Sequence, residues 1–387
     1  MHRCGLYIHI PFCKSRCIYC DFYSTTCGSD IRKAYIEAAC REITLRKEYL
    51  DRPVLSSVYI GGGTPSVLTA KELYIIFATV AEHWQLSPDA EVTLEANPDD
   101  ITPDYAKTLA ALPINRVSMG VQTFNDDILR FLHRRHTAKQ VHQAVDSLFS
   151  VGINNISIDL IYGLPNQTID LWQSDLEQAL ALPVSHLSAY SLTYEEGTPL
   201  FLLREQGKVC EADEELSLQM YSLLMEKAEA AGFHHYEISN FALPGYEARH
   251  NSGYWSGMHY LGVGPAAHSY NGTSRQWNSP DLQAYIHAKG DTLAANLFTH
   301  EEITPKMQME EMLLTRLRTA AGLDLEAFAH DFGQEKLDAL LARANPYINN
   351  GQLKIVSRQQ ATDNGQCLSL TRKGLFISDD IISSLFE

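Results

Sequence analysis

No stretch of this 387-residue chain reaches the roughly 18 consecutive apolar residues that a membrane-spanning helix requires. Its start also lacks the basic segment and apolar core of a secretory signal, so the cytoplasm is the expected location. Positive charge is in short supply: 31 Lys or Arg stand against 47 Asp or Glu, for a formal net charge of -16. That balance argues against a sequence-independent hold on nucleic acid phosphates or on an anionic membrane surface. The eight cysteines lack the regular spacing of a disulfide framework and point to a reducing compartment, where thiols stay free or bind metal. Also missing is a fourth close cysteine beside Cys13, Cys17 and Cys20. Without a second tight Cys-x-x-Cys pair, a closed structural zinc site is disfavoured. Cys4, Cys27 and His9 are the nearest substitutes, and His9 sits in an apolar alternating run that reads as a strand. Three thiolates can instead hold an iron-sulfur cluster and leave one iron open for chemistry.

With 45% hydrophobic residues the chain can bury a large core, and its length suits one large domain and a smaller one. Short β-branched and aromatic runs at 6–10, 57–61, 91–95, 116–120, 156–161 and 187–192 alternate with helical-period stretches at 30–49, 70–84, 103–112, 138–151, 170–182 and 212–231. Six βα units fall short of the eight that close a barrel, so the expected fold is α/β, an open (β/α)6 three-quarter TIM-type barrel. After residue 232 a seventh strand over 236–241 is expected, then a long Gly-rich, aromatic loop through Asn278. Helices over 306–319, 325–332 and 336–344 and a hairpin turning at Asp363-Asn364-Gly365 predict a small α+β winged-helix-like domain. The expected boundaries are 1–232, 233–299 and 300–387. From Glu301 onward nine Lys or Arg face thirteen Asp or Glu, which disfavours a DNA-reading role for that domain.

In parallel α/β folds, active-site groups collect at the carboxyl ends of strands, and the polar motifs of this chain fall there in succession. The three cysteines follow strand one. Strand two ends in Gly61-Gly62-Gly63-Thr64-Pro65, where missing side chains would let backbone amides approach a charged ligand. Glu95 after strand three suits an ammonium. Gln122 after strand four offers a donor and an acceptor, and Arg134 can fork onto a carboxylate. Asp159 in strand five should point inward and could accept from ribose hydroxyls. Each alone reads as solvated surface or a local salt bridge, but together they describe a pocket for a zwitterionic amino acid joined to a nucleoside.

The C-x3-C-x2-C spacing of Cys13, Cys17 and Cys20 with these strand-end motifs resembles the radical SAM superfamily. The resemblance implies a [4Fe-4S] cluster on the three cysteines, S-adenosylmethionine on the open iron, and SAM contacts from Tyr7, Tyr19, Gly62, Gly63, Thr64, Glu95, Gln122, Arg134 and Asp159. The family has glycine before the arginine, whereas His133 stands there in His133-Arg134-Arg135-His136, which leaves Arg135 open beside Arg134. Residues 236–241 and 261–269 are similar to the oxygen-independent coproporphyrinogen oxidase group. Its oxidase branch carries a fourth cysteine where this chain has Phe22, and a long extension before the first. Its haem-chaperone branch has the Cys20-Asp21-Phe22 ending and the motif His250-Asn251-Ser252-Gly253-Tyr254-Trp255. That match implies haem, with His250 on the iron beside Tyr254 and Trp255, and a haem-accepting protein as partner; a peripheral membrane partner is compatible with it.

Three readings follow. The first is a non-catalytic haem chaperone on a radical SAM scaffold. The second is an oxidoreductase of the coproporphyrinogen dehydrogenase type, decarboxylating propionates in porphyrin biosynthesis. The third, a metal-stabilised binding protein working through its C-terminal domain, leaves the strand-end polar residues without a role.

Overall fold

Each of the six alternating runs forms a parallel strand in the computed structural model, which describes residues 3–26, 28–50, 54–288, 298–357 and 365–386. The strands are β1 (Arg3–Ile10), β2 (Val54–Gly62), β3 (Gln85–Ala96), β4 (Arg116–Gln122), β5 (Asn155–Tyr162) and β6 (His186–Ser191), paired in chain order. The principal crossovers are α1 (Ser29–Leu45), α2 (Ala70–His83), α3 (Pro103–Ala110), α4 (Asp126–Phe131), α5 (Ala138–Ser150) and α6 (Ile169–Ala181). After β6 come α7 (Pro199–Glu205) and α8 (Glu214–Ala230). Local sequence starts several of these helices: Thr69 with Glu72, and Thr137 with Gln140, form capping boxes at α2 and α5.

Alternation along the strands gives the barrel two different faces. Leu6, Ile8 and Ile10 of β1, Ile60 of β2 and Val117 and Met119 of β4 are fully buried in the main apolar core. The other face is polar nearly throughout: Tyr7 meets His9, Tyr59 meets Glu95, Ser118 meets Asp159 and Ser157 meets His186 through side-chain hydrogen bonds. Such an interior is largely paired within itself, though Thr93 Oγ1 and Arg116 Nε and Nη1 are buried without a hydrogen-bond partner among the described residues, and it can present several charged groups at one mouth.

The expected seventh strand is instead a hairpin, β7 (His234–Glu237) and β8 (Asn240–Ala242), with β8 antiparallel to β6. The expected Gly-rich loop is structured as well. It contains α9 (Arg249–Ser256), β9 (Tyr260–Val263), β10 (His268–Tyr270) and β11 (Ser274–Asn278), followed by α10 (Leu282–His287) and β12 (Phe298–Glu302). Strand β9 runs parallel to β1 on its free edge, and β10 to β12 extend the sheet antiparallel to twelve strands. The described residues of 233–299 thus extend the main sheet on both sides, a larger role than the connecting segment expected of them.

The C-terminal part runs α11 (Pro305–Leu317), β13 (Leu323–Asp324), α12 (Leu325–Phe332), α13 (Gln334–Asn349), β14 (Leu353–Ser357) and β15 (Gln366–Leu370), then α14 (Arg372–Leu375) and α15 (Ser378–Ser384). A three-stranded sheet ordered β13-β15-β14 has the winged-helix succession of elements and its own core around Leu313, Phe328 and Leu340. Asp363 and Asn364 of the expected turn lie outside the described residues. The domain docks on the β7–β8 hairpin through Ile238 N–H to Arg318 C=O and Ala320 N–H to Tyr236 C=O. No helix among the described residues is long and apolar enough to cross a membrane.

Candidate functional site

A cavity of about 440 Å³ opens at the carboxyl ends of the parallel strands. Cys13, Cys17, Cys20, Tyr19, Gly62, Gly63, Thr64, Glu95, Gln122, Arg134 and Asp159 all line it. Of the residues expected around a nucleoside-linked amino acid, Tyr7 alone does not. It lies deeper in the barrel, where its hydroxyl bonds His9 Nδ1 at 3.0 Å. His9 is spent in turn on the Tyr23 carbonyl at 2.9 Å, and Cys4 is buried within β1. Neither reaches the three cysteines as a fourth ligand, and Cys27 lies outside the described residues.

Burial pushes the Cys13 thiol up and the Cys20 thiol to about 11, so metal loading here must displace protons. The Thr64 hydroxyl donates to Cys13 Sγ at 3.3 Å, and Arg134 Nη1 donates to Cys17 Sγ at 3.3 Å. Among the described residues no three His, Cys, Asp or Glu side chains gather closely enough for a single ion. A cuboid cluster binds its ligands through separate irons, so three thiolates that line one cavity can hold it without meeting at a single ion.

The glycine turn does not act as an amide cradle. Gly62 N–H is held by Glu95 Oε2 at 2.9 Å, Gly63 N–H by the Ile10 carbonyl at 2.8 Å and Thr64 N–H by the Phe12 carbonyl at 2.8 Å. The Gly63 and Thr64 donors fasten the start of the cysteine loop to β2 and the Gly62 donor holds Glu95, which leaves carbonyl oxygens as the backbone groups the turn can still offer. Those suit an ammonium, as does Glu95. Its carboxyl, held by Tyr59 Oη–H at 2.7 Å, is pushed up to about 7 by burial against these hydrogen bonds. Asp159 faces inward as expected and is raised to about 6 by burial, with Ser188 and Ser118 hydrogen bonds opposing.

The choice between the two arginines follows from geometry. Arg135 is committed to Asp99 at 2.7 Å and Asp100 at 2.9 Å. Arg134 turns into the cavity, where Nη2 donates to Asn97 Oδ1 and the Gly120 carbonyl. Its buried Nε has no partner among the described residues, an orphan donor suited to a carboxylate. A Cβ at Gly120 would stand 2.8 Å from Gln122 Nε2 and 3.1 Å from Arg134 Nη2, so a larger residue there would push both side-chain tips aside. Asn97, which steadies Arg134, was missed; the run Glu95-Ala96-Asn97-Pro98 was its only signal.

His250 does not sit on an open loop. It lies in α9, 1% exposed, with Nδ1 on Ser57 Oγ at 2.8 Å and Nε2 on Tyr254 Oη at 2.8 Å. Tyr59 stacks on its ring at 5.1 Å, and burial lowers its pKa to about 3. With both nitrogens engaged, the expectation that His250 ligates haem iron does not fit this geometry. Tyr254 and Trp255 instead line a second cavity of about 890 Å³ between α9, the β10–β11 pair and the C-terminal domain.

Sequence comparison agrees with this layout. A model of the Radical SAM superfamily matches residues 7–179, and one of the HemN C-terminal domain matches 303–377. The chain is 36% identical over 377 residues to the "Heme chaperone HemW" of Lactococcus lactis, covering 97% of each. It is 35% identical over 383 residues to the protein of that name from Bacillus subtilis, covering 98% of each. The chain belongs to the HemW family. A mitochondrial radical S-adenosyl methionine domain-containing protein 1 of Danio rerio is 34% identical over 82% of this chain and 73% of that one. Among solved structures, coproporphyrinogen III oxidase (HemN) of Escherichia coli superposes with a TM-score of 0.82 at 22% identity, covering 99% of this chain and 90% of that one. HemN thus shares the fold of the HemW family.

Proposed function

We propose that the chain is a haem chaperone of the cytoplasm, binding haem and passing it to an acceptor protein. A [4Fe-4S] cluster on Cys13, Cys17 and Cys20 and SAM beside it occupy the first cavity. The observation that carries this reading is the near full-length match to relatives named heme chaperones. Phe22, 64% exposed, stands where the oxidase branch has its fourth cysteine and counts the same way. When bound, the cluster supplies one-electron reducing power to SAM. The residues of the chain position and hold: Arg134 takes the carboxylate, Glu95 and the turn carbonyls take the ammonium, and Asp159 takes the ribose hydroxyls. The oxidoreductase reading is retained for one reason, namely that these groups all converge in a single cavity.

The test is an anaerobic titration of the cluster-reconstituted chain with haem, then with coproporphyrinogen, SAM and a reductant. One-to-one haem binding without decarboxylation is expected. Formation of protoporphyrinogen would establish the oxidase instead.

A further inference from the structure

The motif around His250 sends its side chains to three places. His250 is buried between Ser57 and Tyr254, while Tyr254 and Trp255 face the second cavity. Asn251 lines the first cavity. Nothing in the local structure accounts for an asparagine there. Asn is a poorer helix former than Ala, and where a helix start favours it, it serves as the cap. In α9 the N-cap is Ala248, without a side-chain bond, and Glu91 of β3 takes the N–H groups of Arg249 and His250. Asn251 follows inside the helix. Among the described residues its carboxamide has no hydrogen-bond partner, although the residue is half-buried. Such a group carries two donors and an acceptor, and Glu91 fixes the backbone that presents it.

The charged groups of this cavity divide a ligand between them: Glu95 suits the ammonium of SAM, Arg134 the carboxylate and Asp159 the ribose hydroxyls. The base is left. An adenine edge sets a donor beside an acceptor, and a carboxamide is a side chain that matches it with paired hydrogen bonds. The other carboxamides of the cavity belong to the carboxylate end. Asn97 Oδ1 accepts from Arg134, and the tips of Gln122 and Arg134 flank Gly120 together. At about 440 Å³ the space is that of one small-molecule ligand, so groups at both of its ends reach the same molecule.

We propose that Asn251 is a binding residue of the first cavity, its carboxamide hydrogen-bonding the nucleoside end of SAM. The assignment rests on SAM as the occupant of that cavity, and the two can fail separately.

The experiment uses the full-length, cluster-reconstituted chain under anaerobic conditions, as wild type, Asn251→Ala and Asn251→Ser. Equilibrium dialysis gives the affinities for SAM and for methionine, and melting temperatures are taken with and without SAM. Asn251→Ala should weaken SAM binding by about two- to tenfold, the range for loss of one neutral hydrogen bond. Its affinity for methionine, which lacks the nucleoside, should stay at the wild-type value. Because Ala is the better helix former, its melting temperature without SAM should match or exceed that of the wild type. The rise on adding SAM should be smaller. A purely structural role for Asn251 requires the reverse, a lower melting temperature with a full rise. Wild-type affinity for SAM in Asn251→Ala would overturn the assignment and leave SAM in the cavity, as would an equal loss for methionine. A wild type that binds no SAM would overturn both. If Asn251→Ala does not fold, undiminished SAM binding by Asn251→Ser overturns the assignment by itself.

Discussion

At the scale of single residues, the side chains of the first cavity were the most legible part of the molecule. They stand at strand ends, where period-two alternation and strand order fix their direction. Arg134 was less legible than its neighbours because His133 replaces the expected glycine. The structure shows His133 at φ 60, in the left-handed region that glycine enters freely. The chain keeps the turn with a histidine, and Arg134 still reaches Cys17. Glu95 makes the sharpest residue-scale prediction. Its folded pKa of about 7 exceeds the ordinary 4.5, so between those values the folded state holds a proton that the unfolded state releases. This contribution to stability is fully present below 4.5 and is lost as pH rises through about 7. The melting temperature of the cofactor-free protein should therefore fall more steeply over that window than that of Glu95→Gln. Parallel curves would refute the assignment.

At the scale of elements, the longer periodic helices were readable, and short ones such as α4, α7 and α10 were not, even with local caps. Helix α9 is the clearest case. Residues 249–256 include Asn251, Ser252 and Gly253, poor helix formers that read as loop. What starts the helix is a carboxylate from β3: Glu91 accepts from Arg249 N–H and His250 N–H, each at 3.0 Å. A cap supplied about 160 residues away leaves no local trace. The β7–β8 hairpin was misread because the alternation of Tyr236-Glu237-Ile238-Ser239 continues through the turn with no glycine or proline to mark it. The glycine turn after β2 was read correctly as a site and wrongly as a cradle. A Cβ on Gly63 would lie 2.9 Å from the Phe12 carbonyl oxygen and 3.0 Å from that of Ile10. Gly63→Ala should therefore push the cysteine loop away, costing roughly 1–3 kcal/mol and most of the iron-sulfur absorbance after reconstitution. Gly28→Ala, where a Cβ meets open space, is the matched control. Equal cluster content in the two variants would refute the fastening role.

At the scale of the whole molecule, the open barrel depends on a buried knot that no motif announced. Glu42 of α1 pairs with Arg46 at 3.0 Å and accepts from Gly264 N–H, Asn278 Nδ2 and Tyr285 Oη–H. Arg46 reaches on to the Gly262 carbonyl, Ser269 Oγ and Gln276 Oε1. One ion pair thus ties the first crossover helix to β9, β10, β11 and α10. Removing one partner leaves a buried charge unpaired, so Glu42→Ala should lose about 3–5 kcal/mol in urea denaturation. It should loosen the β10–β11 wall before the cysteine loop, seen as earlier amide exchange there. A loss below about 1 kcal/mol, the level of an exposed pair, would contradict that account. The sequence could not disclose this, because its partners lie more than 200 residues apart.

Helix α9 touches both chambers: Asn251 lines the first while Tyr254 and Trp255 line the second. A short rigid rod with an end in each is a party wall, and two tenants who lean on one wall are not thermodynamic strangers. Where a ligand in one chamber displaces α9 and so changes affinity in the other by some factor, the second ligand must change affinity for the first by that same factor. The radical SAM half of the molecule then has a use as the gauge by which the other half reads cofactor status.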